Sequence, residues 1–403
     1  MQQMDSAAPR NGEAPTGSGQ VAIRGRDGQR AFLDTKQYSI LHRLTGFDGE
    51  VLPTLVIVYL ACVAITYLPL LAVASWGLAT NQGIRLPFLL DWNITFTFLV
   101  SFPTLVILIV TDDHVLTQAL QQVWSSDVIS TNVEDPEVLV QTWTARFRWA
   151  NIGSYAVGLV LGAILSWYTL QVYVWTKAGF WAAPTGVIEP IGVVYLYCIT
   201  LLYGVIAVFV TRSVCIALFL SALVDKVTVR LLPFHPDGCG GLQPVGRLGL
   251  RNQLTLTILG LNIAILGFIT RHYLVPHGAE AWMIIIAVLA YLILGPVVFI
   301  GPLLPFRTGM LRSKATLMGE LSDRLRADFT AIRGRLKDDG LVDADLQTLE
   351  RLKKVGSMIE GLPVWPFDAR TLRTFGSAYL VPLVLPLLSK LVESGLVWLG
   401  VNI

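Results

Sequence analysis

Residues 191–224 read IGVVYLYCITLLYGVIAVFVTRSVCIALFLSALV and contain one charged side chain, Arg212. As an α-helix this run would extend about 51 Å at 1.5 Å per residue, against a bilayer hydrocarbon core of about 30 Å. Such a helix must either tilt strongly or leave the lipid with its apolar surface covered by protein. Shorter apolar runs flank it at 52–75, 87–111, 151–175, 250–272, 281–305 and 376–398. Lipid satisfies no backbone polar group, so runs of this length and polarity are expected to cross a membrane as helices. The composition agrees. The 403 residues are 54% hydrophobic and only 14% charged, where a soluble chain carries about 25% charge. The expected fold is an all-α, polytopic membrane protein with six spans and a seventh at 376–398.

Four regions follow. Residues 1–30 are polar and rich in Gly, Pro, Ser, Gln and Arg, without the apolar core of a signal peptide, and read as a disordered tail. Residues 31–305 form the membrane domain. They open with an amphipathic surface stretch, in which Phe32, Leu33, Ile40, Leu41 and Leu44 alternate with Arg30, Lys36 and Arg43. The polar segment 112–150 is expected to hold two helices, the second opening at Asp135-Pro136-Glu137. Gly295-Pro296, Gly301-Pro302 and Pro305 should kink the sixth span. Residues 306–375 form a helical hairpin and linker. Met318, Leu321, Leu325, Phe329, Ile332 and Leu336 recur at helical spacing, as do Val342, Leu346, Leu349, Leu352, Val355 and Ile359, with a turn at Lys337-Asp338-Asp339-Gly340. Residues 376–403 hold the last helix, preceded by Pro363-Val364-Trp365-Pro366-Phe367-Asp368. There Asp368 is the expected N-cap, and the aromatics should dock the hairpin against the membrane.

Basic residues set the orientation. Segments 1–50, 112–150, 225–251 and 307–373 hold 6, 2, 4 and 13 Lys/Arg, while 76–90, 176–190 and 272–280 hold 1, 1 and 0. Positive charge favours the cytoplasm, which places the N-terminus inside. Trp76, Trp92, Trp175, Trp181 and Trp282, with Trp398 if the last helix spans, would then form an outer interfacial belt.

Two loops hold candidate ligands. The stretch Pro233-Phe234-His235-Pro236-Asp237-Gly238-Cys239-Gly240-Gly241-Leu242 places His, Asp and Cys beside glycines whose N–H groups can approach an ion. His235, Asp237, Gly238, Gly240 and Gly241 are its candidate ligand or ion contacts; the alternative is a tight turn reversing one helix into the next. Asp112, Asp113 and His114 follow the second span. With His235 and Asp237 they would make a His/carboxylate metal site, the alternative being a solvated helix end. Arg212 joins the candidate contacts because an ionisable group inside a span is a functional candidate, unless it anchors at the interface. Lys390 and Glu393 share a helix face and can pair. The four cysteines, Cys62, Cys198, Cys215 and Cys239, show no CxxC spacing; the three in apolar segments, Cys62, Cys198 and Cys215, read as buried free thiols. Gln253, Thr257 and residues 260–261 fall near one face as a polar stripe, read as helix-to-helix glue, the alternative being a water-lining face.

No HExxH, GxSxG, Walker or CxxC pattern occurs, and no carboxylate pair is expected inside the spans, so an enzyme is not expected. The net charge of +2 gives no reason to expect a nucleic-acid partner. The outline is N-in with seven spans, spans four to six extending into a cytoplasmic bundle and a short Pro-containing last helix. It is similar in topology, over about residues 30–403, to the insect odorant and gustatory receptor channels. That resemblance implies a channel or ligand-responsive conduit for ions or small solutes, assembled as a homo-oligomer in a lipid bilayer; it matches no motif and carries over no site. The alternative is a signalling or scaffold protein whose hairpin at 307–362 binds a cytoplasmic partner. HPDGCGGL together with WPFD resembles bacterial membrane proteins, which implies a bacterial inner membrane.

Overall fold

The computed structural model describes residues 51–78, 88–126, 128–130, 136–169, 190–231, 235–273, 278–336 and 343–398, all within one compact unit, Phe32–Ile403. The expected tail 1–30, the amphipathic stretch 31–50, Asp135, Trp175, Trp181 and the hairpin turn 337–340 lie outside the described residues. So do the side chains of Trp76, Trp282, Lys390, Glu393 and Trp398.

The described elements are helices apart from one two-residue strand pair. Helix α1 is Val51–Leu78. Helix α2 runs Trp92–Ser125, with a five-residue π-helical turn at Thr97–Ser101. Strand β1, Ile129–Ser130, pairs antiparallel with β2, Thr228–Val229. Between them lie α3, Pro136–Thr169, and α4, Pro190–Val224. Then come α5, Gln243–Tyr273, and α6, Gly278–Ile300; a short 3-10 turn at Gly301–Leu303 leads into α7, Leu304–Leu336. Helix α8, Asp343–Glu360, completes the hairpin, and α9 is Ala369–Trp398. Among the described residues five stretches are long and apolar enough to cross a membrane: Leu52–Ser75, Trp92–Ser125, Thr144–Tyr168, Pro190–Val224 and Ile284–Arg333. Their outer faces leave large apolar side chains bare, including Ile57 and Leu60 on α1 and Leu159, Ile164 and Trp167 on α3. Soluble monomers rarely expose so much apolar surface, and lipid is the solvent that suits it.

Two expectations are corrected. Residues 112–150 are not a polar segment with two helices of its own. The second apolar run continues without a break to Ser125, and the segment opening at Pro136 is one helix with the expected third span. Asp112 and Asp113 therefore sit inside a candidate span, buried, so a carboxylate pair is present there after all.

The π turn has a local cause. Pro103 has no N–H, so Leu99 loses the donor one turn ahead of it. Tyr59 Oη on α1 donates to that Leu99 carbonyl at 3.0 Å, while the Phe102 N–H reaches back to Thr97 O. At the other helix pair, Ser154, Gly158, Gly162 and Ser166 recur every four residues on α3. A Cβ on Gly162 would fall inside van der Waals contact with the Gly204 Cα, so α3 and α4 meet backbone to backbone.

The overlong α4 packs one face against protein along its length, while Val193, Tyr197, Val214 and Leu218 stay exposed. The described residues form two hydrophobic cores. The first includes Cys198, Leu202 and Phe209 of α4 with Leu105 and Ile109 of α2 and Leu256 of α5. The second includes Ile216, Phe219, Leu220 and Leu223 of α4, with Leu116 and Leu120 of α2, Val245 and Leu248 of α5, and Phe299, Phe306 and Met310 from α6–α7. The end carrying this second core and the α7–α8 hairpin is called the hairpin end below.

Candidate functional site: a buried charge layer and a polar seam

The two cores change over at matching positions on three helices. On α2 the change falls between Ile109 and Leu116, on α4 between Phe209 and Ile216, and on α5 between Leu248 and Leu256. The residues in those gaps are Asp112 and Asp113, Arg212, and Arg251. Each lies at a similar distance from the far end of its helix. At about 1.5 Å per residue, Trp92 to Asp112 is about 30 Å, and both Pro190 to Arg212 and Arg251 to Tyr273 are about 33 Å.

They meet there as an ionic network. Arg212 Nε donates to Asp112 Oδ2 at 2.9 Å, and its Nη2 donates to Asp113 Oδ1. Its Nη1 donates to Asn151 Oδ1 and, at 3.1 Å, to Tyr155 Oη, both on α3. Arg251 Nη1 lies 3.5 Å from Asp112 Oδ1. Arg251 Nη2 donates to Leu108 O at 3.1 Å and to Thr111 Oγ1. Arg212 is 2% exposed and Asp113 1%. Two arginines and two aspartates balance in charge, which a low-dielectric interior requires. Asp113 Oδ2 alone of the four carboxylate oxygens has no partner among the described residues.

A line of polar side chains runs from this layer toward the far end, between α2 and α5. Thr97 Oγ1 donates to Asn262 Oδ1 at 2.9 Å across the seam. Thr255, on the same face of α5 as Arg251 and Asn262 at helical spacing, is buried. Asn93 Oδ1, Ser101 Oγ and Asn252 Oδ1 are buried with no hydrogen-bond partner among the described residues. On the opposite face of α5, Thr257 Oγ1 donates to Ala378 O of α9 at 3.1 Å and acts as glue, while both amide atoms of Gln253 are buried with no hydrogen-bond partner among the described residues. The seam itself was missed. Its signal was the i, i+4, i+8 spacing of Asn93, Thr97 and Ser101 in an otherwise apolar run.

The glycine-rich loop is a turn centred on Asp237. Its carboxylate accepts the N–H groups of Cys239 at 2.9 Å, Gly241 at 3.0 Å and Gln243 at 3.2 Å. His235 Nδ1 lies 2.7 Å from Asp237 Oδ1. Gln243 is the first residue of α5, so Asp237 also faces that helix's positive end. Burial raises the Asp237 pKa, but these hydrogen bonds outweigh it and hold the carboxyl below its ordinary value. Gly238, Gly240 and Gly241 have φ of 65°, 66° and 91°, the left-handed region that side chains disfavour. Cys239 is fully buried. Burial, with help from Asp237 and Asp368, pushes its thiol up to about 11. The four cysteines are free thiols, three of them buried.

The loop and the aspartate pair are not brought together. Among the described residues no group of three or more His, Cys, Asp or Glu is placed to hold a metal ion. Asp112 and Asp113 face arginines instead, and His114, partly buried on the same helix, joins no such group. Arg212, singled out as an isolated charge, is a paired one.

The docking segment is confirmed in part of its detail. Asp368 caps α9 by accepting the Thr371 N–H at 2.8 Å. Arg307 of α7 lies over the Trp365 ring at 4.6 Å. From there aromatic contacts run through Phe367, Phe299, Phe375, Tyr379 and Tyr291, with centroid separations of 4.2–5.7 Å.

Compared with family models, curated proteins and solved structures, the chain matches none.

Proposed function

We propose that this chain is a multi-pass conduit for ions or small solutes, with the α2–α5 seam as its path and the Arg212–Asp112–Asp113–Arg251 layer as its constriction. The observation that carries the reading is the seam: buried polar groups without protein partners, spread over about 30 Å from Asn93 to Asp113, the thickness of a bilayer's hydrocarbon. Each such group costs about 1–3 kcal/mol if left unsatisfied, so a purely structural seam would be a poor use of them. α5 and α9 count as spans in this reading, which brings the total to seven. The hairpin end is cytoplasmic, by the basic residues of 225–251 and 307–373. The membrane is a bacterial inner membrane, and the chain acts as a homo-oligomer without catalysing a reaction. Purified full-length protein in liposomes tests it: flux of Na⁺, K⁺, Cl⁻ or a small neutral solute above protein-free vesicles is expected, and no flux of any of them would sink it.

A second reading has its own observation. On the hairpin, Leu325, Phe329, Val355 and Met358 are exposed, Phe329 by 58%. Two apolar faces that only partly cover each other suit a protein partner. On this reading deletion of 310–362 abolishes a defined partner's binding and leaves membrane insertion intact; unchanged binding refutes it.

A further inference from the structure

We propose that the stacked pair Tyr291 and Tyr379 is a latch joining the kinks of α6 and α9, and that the hairpin works it through the linker at Trp365; the proposal stands whether or not the chain conducts. Both helices carry an internal proline, Pro296 in α6 and Pro382 in α9. A proline lacks the N–H that the carbonyl four residues earlier would use. The carbonyls released in this way are Leu292 O and Ala378 O, and each finds a hydroxyl on a neighbouring helix. Tyr379 Oη of α9 donates to Leu292 O at 2.8 Å, and Thr257 Oγ1 of α5 donates to Ala378 O at 3.1 Å. Tyr291 Oη of α6 returns the contact by donating to Tyr379 O at 3.0 Å. The two rings stack at 5.5 Å with their planes 15° apart. Glycines make the room: a Cβ on Gly295 would run into the Tyr379 ring, and one on Gly260 would meet both the Tyr291 ring and Pro382. A side chain of each helix thus holds the backbone of the other beside its proline, so the two kinks move together.

The latch has a second state at hand. Gln253 of α5 is fully buried, one turn from Thr257, and neither of its amide atoms has a hydrogen-bond partner among the described residues. It lies beside the Tyr291 hydroxyl without bonding to it. Rotating that hydroxyl from Tyr379 O to the Gln253 amide oxygen exchanges one hydrogen bond for another. The exchange costs little. Tyr379 O keeps the Leu383 N–H of its own helix, and a stranded buried oxygen gains a donor. Two arrangements of similar energy are what a coupling contact requires. The input is the aromatic run from the hairpin linker. Phe367 meets Trp365 at 5.2 Å and Phe299 at 5.6 Å; Phe375 stacks on Phe299 at 4.2 Å and on Tyr379 at 5.7 Å. Trp365 itself is held by Arg307 of α7. Displacement of the hairpin therefore acts on the ring whose hydroxyl holds the α6 kink.

Hydrogen exchange of the full-length protein in detergent tests this, followed in the peptides around 292–296 and 378–382. Tyr379→Phe removes one oxygen, and exchange should rise about tenfold in both peptides, the worth of one hydrogen bond, with α1 and α3 unchanged. Trp365→Ala should raise exchange in the same two peptides by about threefold or more, and should add nothing further in a Tyr379→Phe background, where the latch is already open. Gln253→Leu removes the second state, so Trp365→Ala should then leave both kinks unchanged. If Tyr379→Phe does not fold, Tyr291→Phe takes its place in the same cycle. A Trp365→Ala effect confined to the hairpin, or one that multiplies in full with that of Tyr379→Phe, overturns the latch. A rise in the α6 peptide alone after Tyr379→Phe overturns the joint movement of the kinks. An undiminished Trp365→Ala response in Gln253→Leu overturns the amide as the second partner.

Discussion

Arg212 shows how far one residue can be read. Its isolation in an apolar run marked it as either paired or snorkelling, and the structure pairs it. Removing one member of a buried, balanced network strands the others. Arg212→Ala should therefore cost about 3–5 kcal/mol, while exchanging Arg212 and Asp113 together for apolar residues of similar size should recover much of that loss. Urea or thermal unfolding in detergent measures both. Asp237 gives a pH signature. Its folded pKa is below the ordinary carboxylate value, so the stability it adds is fully present at neutral pH and is lost as the pH falls through the folded value. Asp237→Ala should destabilise by about 1.5–3 kcal/mol at pH 7. Melting curves followed from pH 7 downward should approach wild type only as the pH falls below the ordinary carboxylate value and through the lower folded one; a difference that stays constant until the carboxyl is fully protonated would refute the role given to it.

At the scale of elements, the α3–α4 contact and the α2 π turn are solved by particular side chains. Gly162 lets two helices touch where any side chain would push them apart, and Arg212 then reaches Asn151 and Tyr155 on the neighbouring helix. Overpacking there should cost about 1–3 kcal/mol. Gly162→Ala should be destabilising by that amount, whereas Gly153→Ala, where a Cβ meets nothing within 4 Å, should be neutral or slightly stabilising. Equal melting temperatures for the two variants would remove the close approach as an organising contact. The small-residue spacing on α3 was readable in the sequence, but four-residue recurrence of Ser and Gly does not say which helix it faces.

For the molecule as a whole, the aromatic chain from Trp365 to Tyr291 ties the hairpin linker to α6 and α9. Arg307 over Trp365 is its entry point, and Lys314 Nζ reinforces it by donating to Leu362 O at 3.4 Å and Glu360 O at 2.5 Å. Cation–π contacts of this kind are worth about 0.5–2 kcal/mol. Trp365→Ala should therefore speed hydrogen exchange in α8 by about threefold or more, with α1 and α3 unaffected. Uniform exchange changes along the chain would mean global destabilisation and not release of the hairpin.

The sequence by itself determined that the chain is helical, that its long apolar runs suit a membrane, and that α4 is longer than a bilayer is thick, so that it must tilt strongly or be covered by protein. It also placed the Asp368 cap and the apolar faces of the hairpin. These follow from local rules: hydrophobic length, helical periodicity and capping chemistry act within a few turns. The tertiary structure alone decided that Asp112 and Asp113 meet Arg212 and Arg251 and not His235 and Asp237. It also decided that Asp237 spends its carboxylate on its own loop, and that polar groups on α2 and α5 line one seam. Asp112 and Arg212 are a hundred positions apart. Their partnership depends on three helices crossing at one depth, where the need to neutralise buried charge selects the pairs.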